Sequence, residues 1–372
     1  MVPARNGHLA GRARCWRPGR GEIDLRRDTG RDMRADQPGV LPELAARHPH
    51  GAPLDRELTF ASRDMSLSAG HEGKHDAVMT ADEVREHSLQ VSDGRTVAWT
   101  ECGDENGLPV LRIPGTPGCR WSIRWDRSPW LDRSLRMITT ERPGYGASSR
   151  LPGRGFAEPA ADMVQILDHL GLDGLHVYGS SGAGPHILAL TALYPERVRA
   201  VTVLAGAAPL TDSEAEHMIE INIRSRRLAL DRDVEGLHAL LDPIREAQVT
   251  DPLGAFRTIM SEAPPDDQSV MADPLWQQTL SRAMTEALGQ GSDGWIDECV
   301  AMYQSWSDFD VADIRSSLTW WHTSSDRNAP LSAAQRLVAG VPNAQLNVWP
   351  DGGHFAAYHR EGEVLDELLA RG

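Results

Sequence analysis

The stretch VYGSSGAGPHILAL, residues 177–190, decides how this chain is read. Ser180 and Ser181 stand side by side between glycines, after an apolar run (LHVYG) patterned as a strand and before one (GAGPHILALTALYP) patterned as a helix. A nucleophile on a sharp strand-to-helix turn holds a strained backbone, and the residues two positions to either side of it crowd one another, so both must be small. Around Ser181 those residues are Gly179 and Ala183. Around Ser180 they are Tyr178 and Gly182, and a tyrosine ring belongs in the strand. Ser181 is therefore the candidate nucleophile, with a helix N-terminus aimed at any developing oxyanion. The competing reading is a Gly/Ser loop without chemistry, and Ala183 in place of the usual glycine loosens the match.

A serine hydroxyl at its ordinary pKa is a weak nucleophile and needs a base, itself oriented by an acid. Downstream, WHTSSDRNAP puts Asp326 just past one predicted strand, and DGGHF puts His354 just past the next. Both fall at the carboxyl ends of strands, where α/β sheets bind ligands. A lone Asp or His in a loop is usually a turn or surface residue; three groups in the order Ser, Asp, His at such positions argue for chemistry.

Working outward, EHSLQV and RTVAWTEC read as a hairpin around Ser92, Asp93 and Gly94, and PVLRIPG and MITTERPG as buried strands. AEPAADMVQILDHLGL carries Met163, Ile166, Leu167 and Leu170 at helical spacing and closes at Gly171. After VRAVTVLAG (strand) comes a long interruption, then LTWWHTSSD (strand), LSAAQRLVAG (helix), QLNVWP (strand) and EVLDELLA (helix). This alternation predicts an α/β fold with a mainly parallel central sheet flanked by helices, its core formed by residues 79–210 and 314–372. Residues 211–313 read as an inserted helical cap, with 21 acidic against 7 basic side chains, a net of −14. Residues 1–78 carry a net of +2 and no sustained period, and are expected to be disordered; translation starting at Met65 or Met79 is one explanation for them.

The whole chain has a net charge of −15, which argues against nucleic acid or an anionic membrane as a partner. No apolar run reaches the roughly 18 residues of a membrane span, and no secretory h-region follows the N-terminal arginines. The scattered Cys15, Cys102, Cys119 and Cys299 fit a reducing cytoplasm and form no metal or disulfide pattern. A small-molecule substrate is expected; oligomeric state is not legible.

From residue 86 onward the chain resembles the α/β-hydrolase superfamily, in its lid-bearing serine esterase and peptidase-like branch. The resemblance rests on GSSGA, Asp326, His354, RIPGTPGCR and ERPGYGASS. It implies Ser181 as nucleophile, His354 as general base and then acid, and Asp326 as its orienting partner, without a cofactor or metal. It also implies an oxyanion hole from the backbone amides of Thr116 and Gly182, on a loop where Pro114 stands in place of the usual histidine. Arg142 is expected to hold a neighbouring loop, and Asp212 is the fallback acid. The reaction implied is acyl transfer to water: ester, lactone, thioester or amide cleavage, or C–C cleavage of a diketone. An aminopeptidase of the proline-iminopeptidase type, its acidic cap holding a free amine, and a non-catalytic ligand-binding protein on the same fold stay open as alternatives. The acidic cap predicts neutral or cationic substrates over dianions.

Other signals weigh less. His71-Glu72-Gly73-Lys74-His75 matches HExxH but lies between glycines in an aperiodic tail, so no metal site is expected. Trp121 and Trp125, four apart, could share a helical face lining the substrate pocket, with Trp306 of the cap; core packing is the competing use. Trp276, Trp295, Met302 and Tyr303 could line an apolar chamber or glue cap to core. His186 reads as a packed helix residue, and Cys119 has no independent claim to reactivity.

Overall fold

The structure is a computed structural model describing residues 78–371; the expected N-terminal disorder and the HExxH segment lie outside them. The predicted hairpin forms as β1 (Arg85–Gln90) and β2 (Thr96–Gly103), antiparallel in the register Arg85↔Glu101 to Gln90↔Thr96. β3 (Leu108–Ile113), α1 (Ser128–Leu131), β4 (Leu135–Thr140), α2 (Ala157–Leu170), β5 (Leu175–Ser180), α3 (Ala183–Leu193) and β6 (Val198–Leu204) follow. Seven described helices then precede the next strand. They are α4 (Asp212–Ala215), α5 (Glu220–Leu230), α6 (Val234–Thr250), α7 (Pro252–Ile259), α8 (Pro265–Met271), α9 (Pro274–Ala287) and α10 (Asp293–Gln304). β7 (Ser317–Thr323), α11 (Leu331–Val338), β8 (Ala344–Trp349) and α12 (Glu361–Leu369) complete the chain.

The eight strands form one sheet in the order β1-β2-β4-β3-β5-β6-β7-β8. β2 pairs antiparallel with β4, and every pair from β4 through β8 is parallel. Alternation along each strand feeds two cores. From β3, Leu111 and Ile113 join Met163, Ile166 and Leu167 of α2, with α3 and α11, on one face. Val110 turns the other way, to Trp130 of α1 and Leu365 and Leu368 of α12. Parallel strands covered on both faces lose their polar alternation, which is why β5 and β6 read as continuous apolar runs.

Helix α2 ends where the sequence predicts: Gly171 takes the left-handed conformation, φ 67°, and its amide caps the last turn. Helix α3 is buried along almost its whole length, so it carries no amphipathic stripe. A third apolar cluster lies within the insertion, where Met260, Met271, Trp276 and Met284 meet Phe355 of the loop after β8. That cluster brings the insertion down onto the carboxyl edge of the sheet.

Candidate active site

Ser181 occupies the two-residue turn between β5 and α3 with φ 59°, a left-handed backbone that costs a non-glycine residue on the order of 1 kcal/mol. The end of β6 holds it there. Ser181 N donates to Leu204 O at 2.9 Å, and Ser181 O accepts from Gly184 N at 3.0 Å and Ala207 N at 2.9 Å. The crowding inferred from the sequence is real: a Cβ on Gly179 would stand 2.8 Å from Ala183 Cβ and 2.3 Å from Ile113 O.

The loop after β3 lies against this turn. A Cβ on Gly182 would be 2.1 Å from Thr116 Oγ1 and 3.2 Å from Thr116 N, so the two peptide segments are in contact. The amides of Thr116 and Gly182 donate to no protein acceptor among the described residues. Support comes from Arg142, just past β4, whose Nη1 donates to Pro114 O at 2.5 Å and Nη2 to Gly115 O at 2.8 Å. Arg142 is anchored in turn by Glu298 of α10, Nε to Oε1 3.1 Å. Glu298 also accepts from Arg154, from Thr116 Oγ1 at 3.2 Å and from His186 Nε2 at 2.7 Å. His186 is the buried helix residue the sequence suggests. Burial drives its pKa down to about 4, with Arg142 and Arg154 adding to the fall against the pull of Glu298.

His354 follows β8, and its Nδ1 lies 2.8 Å from Asp326 Oδ2. The other oxygen of Asp326 accepts from Asn328 N at 2.7 Å and Ala329 N at 3.0 Å, so the carboxylate is fixed from both sides. Burial pushes the Asp326 carboxyl up, but His354 and the surrounding donors outweigh it and leave it below its ordinary value. Burial pulls His354 down, yet Asp326 and Asp267 hold it above 6.5. Asp212, the fallback, is exposed and pairs with Arg226 instead.

Ser181 and His354 open onto the same cavity of about 260 Å³ between the sheet edge and the insertion. The Ser181 hydroxyl makes no hydrogen bond to a protein group among the described residues. Catalytic hydrogen bonds of this kind commonly tighten only around substrate. Trp276, Trp295, Met302 and Tyr303 line the cavity, as do Phe256 and Met260, which sequence reasoning did not single out. Among the described residues, the lining includes no Asp, Glu, Arg or Lys.

Three tryptophans weighed as pocket residues lie outside the cavity lining. Trp121 and Trp125 are buried and stacked at 6.4 Å in the second apolar core, and Arg282 of α9 lies over Trp121 at 4.3 Å. The segment between β3 and α1 is not helical, so their spacing creates no shared helical face toward the cavity. Trp306 packs on Phe156 at 5.5 Å and Phe309 at 6.1 Å, with Nε1 donating to Met302 O, and faces the core under α2. Cys119 is fully buried, and burial pushes its thiol pKa up, which leaves it inert.

Glu298 and the pair Asp266–Asp267, which touch loops of the site, and Arg154, which pairs with Glu298, were not singled out in the sequence. The three acids gave a weak signal, being acids among many others in an acidic insertion, and Arg154 stands outside the motifs the sequence offered. Asp267 accepts from His354 N at 2.9 Å and Phe355 N at 2.8 Å.

Residues 109–360 match the family model described as alpha/beta hydrolase fold. A curated relative, a 2-hydroxy-6-oxononadienedioate/2-hydroxy-6-oxononatrienedioate hydrolase of Klebsiella pneumoniae, is 23% identical over 290 residues, covering 75% of this chain and 93% of its own. Among solved structures, an enol-lactonase from Burkholderia xenovorans LB400 superposes with a TM-score of 0.57 at 15% identity, over 76% of this chain and all of its own. A thermophilic esterase from Thermogutta terrifontis gives 0.54 at 20% identity, over 77% of this chain and 98% of its own. An eight-stranded, mainly parallel sheet and a family match over most of its length lead to one conclusion: this chain is a hydrolase belonging to the alpha/beta hydrolase fold family.

Proposed function

We propose that the protein is a serine hydrolase that cleaves an ester or related acyl bond of a small, neutral, largely apolar substrate through an acyl-enzyme. The observation that carries this reading is the 2.8 Å bond from His354 to Asp326 on a cavity whose wall also holds Ser181 at a strained turn. Ser181 Oγ attacks the substrate carbonyl as His354 Nε2 takes the hydroxyl proton. The negative charge that develops on the carbonyl oxygen is met by the amides of Thr116 and Gly182. Collapse of the tetrahedral adduct expels the alcohol, which receives the proton from His354. Water, deprotonated by the same imidazole, then releases the acid and restores Ser181. Asp326 keeps the ring in the tautomer with its proton on Nδ1 and stabilises the imidazolium.

A neutral substrate follows from the lining: a buried charge without a counter-charge is costly, and the cavity supplies none. The same point weighs against an aminopeptidase, since no carboxylate is there to hold a free amine. A second reading, cleavage of a carboxylate-bearing substrate, is favoured by one observation. A neighbouring recess of about 140 Å³ shares Ser180 and His354 with the first and adds Arg112, Arg124 and Glu361. Arg112 Nη1 is buried there without a hydrogen-bond partner among the described residues.

The test of the hydrolase reading is labelling by a fluorophosphonate probe, with turnover of a neutral p-nitrophenyl ester. Ser181→Ala is expected to abolish labelling and to lower kcat by about three orders of magnitude or more. Ser180→Ala retains both. Loss of labelling in Ser180→Ala with retention in Ser181→Ala reverses the assignment, and absence of labelling in the parent favours a binding protein.

A further inference from the structure

The loop that carries His354 is gripped from the insertion. Three amides of the run Gly352–Phe355 point at the first turn of α8. Gly352 N donates to Asp266 Oδ2 at 2.9 Å, His354 N to Asp267 Oδ2 at 2.9 Å and Phe355 N to Asp267 Oδ1 at 2.8 Å. Asp267 is 1% exposed, so its two bonds are shielded from water, whereas Asp266 is exposed. Opposite them, Thr323 Oγ1 donates to Gly353 O at 3.1 Å and fixes the carbonyl side of the loop. The fit is close: a Cβ on Gly353 would stand 2.3 Å from Asp267 Oδ2. Gly353 takes an ordinary backbone conformation, so this approach of the carboxylate is the observed constraint that glycine satisfies.

We propose that Asp267 is a positioning residue for the reaction: from the insertion, it sets the place of the His354 ring and puts a second carboxylate beside that loop. The inference rests on the reading of His354 as general base. A carboxylate that serves only to cap α8 would face its own helix amides; Asp267 accepts instead from a loop 87 and 88 residues away. The charged and titratable groups facing His354 are Asp326 and His322 from β7 and the loop after it, Asp267 and Asp266 from α8, and Arg112, Arg124 and Glu361 across the neighbouring recess. Of these, Asp326 and then Asp267 favour the protonated ring. The catalytic site is thus incomplete without the insertion, which supplies one of the two carboxylates bonded to His354.

Two variants test this by independent routes. Asp267→Asn keeps the size, removes the charge and turns one of the two acceptors into a donor that faces a backbone amide; Gly353→Ala keeps the charge and displaces the carboxylate. Both are expected to lower kcat on a neutral ester by about 10- to 100-fold, with KM changed by less than about threefold, because the ring is misplaced while the cavity is intact. In Asp267→Asn the acid limb of the kcat/KM profile also moves to lower pH by about half a unit or more, since a negative charge near His354 is gone. A purely structural role leaves that limb where it is. If Asp267→Asn lowers only the melting temperature, with kcat and the limb unchanged well below it, the proposal is overturned. His354→Ala separates the two claims. If it retains parental activity, the underlying base assignment fails; if it is inactive while the Asp267 limb stays fixed, only the positioning role fails.

Discussion

Replacing Glu298 by glutamine removes one negative charge from a site where three ionised side chains, Arg142, Arg154 and Glu298, are each 0% exposed. His186, held well below its usual pKa by burial, is neutral there and adds no charge. In the parent, one carboxylate is shared between two guanidinium groups. In the variant both cations stay buried with no anion, and the glutamine NH2 must face one of them. Breaking a buried pair by removing one partner costs about 3–5 kcal/mol. At roughly 2–4 °C per kcal/mol for a domain of this size, the melting midpoint falls by about 6–20 °C. Activity falls too, because Glu298 anchors Arg142 and accepts from Thr116 Oγ1, and both fix the loop that carries the Thr116 amide. The ceiling on that loss is about 10²–10³ in kcat, the effect of deleting one oxyanion donor outright. The assays are thermal unfolding by circular dichroism and kcat on a neutral p-nitrophenyl ester well below the variant's midpoint. The sign with pH also follows. Burial raises the Glu298 carboxyl, but Arg142, Arg154 and His186 dominate and hold it well below 4.5. Its stabilisation is therefore complete above 4.5 and is lost as pH falls through the depressed folded value. Glu298→Gln flattens that part of the acid-unfolding profile. A variant that melts within roughly 1 °C of the parent, with kcat unchanged, would refute the reasoning.

His186 gives a second pH window. Its folded pKa of about 4 lies below the ordinary 6.5, so stability is full above 6.5 and declines as pH falls toward 4, by about 3 kcal/mol in all. Urea midpoints between those limits should show this slope in the parent and lose it in His186→Gln; equal slopes in both would sink the assignment. For substrate charge, matched acyl esters with and without a terminal carboxylate should differ by about 10-fold or more in kcat/KM, in favour of the neutral one. If the anionic ester wins and Arg112→Gln removes its advantage, the carboxylate reading replaces the neutral one.

The fold was legible because local signals agreed with one another: the turn at Ser92-Asp93-Gly94, Gly171 closing α2, and apolar runs too continuous for a solvated sheet. The elbow was legible for a steric reason, since Gly179 and Ala183 must both be small for β5 to turn into α3. Asp326 and His354 could be placed because strand ends in such sheets converge on one edge. The tryptophans stayed ambiguous between pocket and core because spacing of four has meaning only in a helix. The segment after β3 runs irregularly, and Trp121 and Trp125 turn into the core. Asp267 and Glu298 were invisible for a different reason. Which acid of an acidic segment turns inward is decided by tertiary docking, which local sequence pattern does not encode.

The same docking explains why the charge of the insertion says so little about substrate. A net of −14 over residues 211–313 suggests a field that selects for cations. In the folded chain many of these acids have local partners instead. Asp233 accepts from Gly236 N at the start of α6, Asp251 from Gly254 N at the start of α7, and Asp273 from Leu275 N and Trp276 N at the start of α9. An insertion built of many short helices has many N-termini, and each favours a carboxylate near its free amides. Asp297 pairs with Arg150, and Glu286 with Arg282 and Arg120. Three acids that meet the loops of the candidate site, Asp266, Asp267 and Glu298, spend their charge on backbone amides and arginines rather than on the cavity. What reaches the substrate is an apolar wall between two charged braces. Selectivity in this protein should therefore track the shape set by Phe256, Met260, Trp276 and Trp295 more closely than the sign of the protein's field.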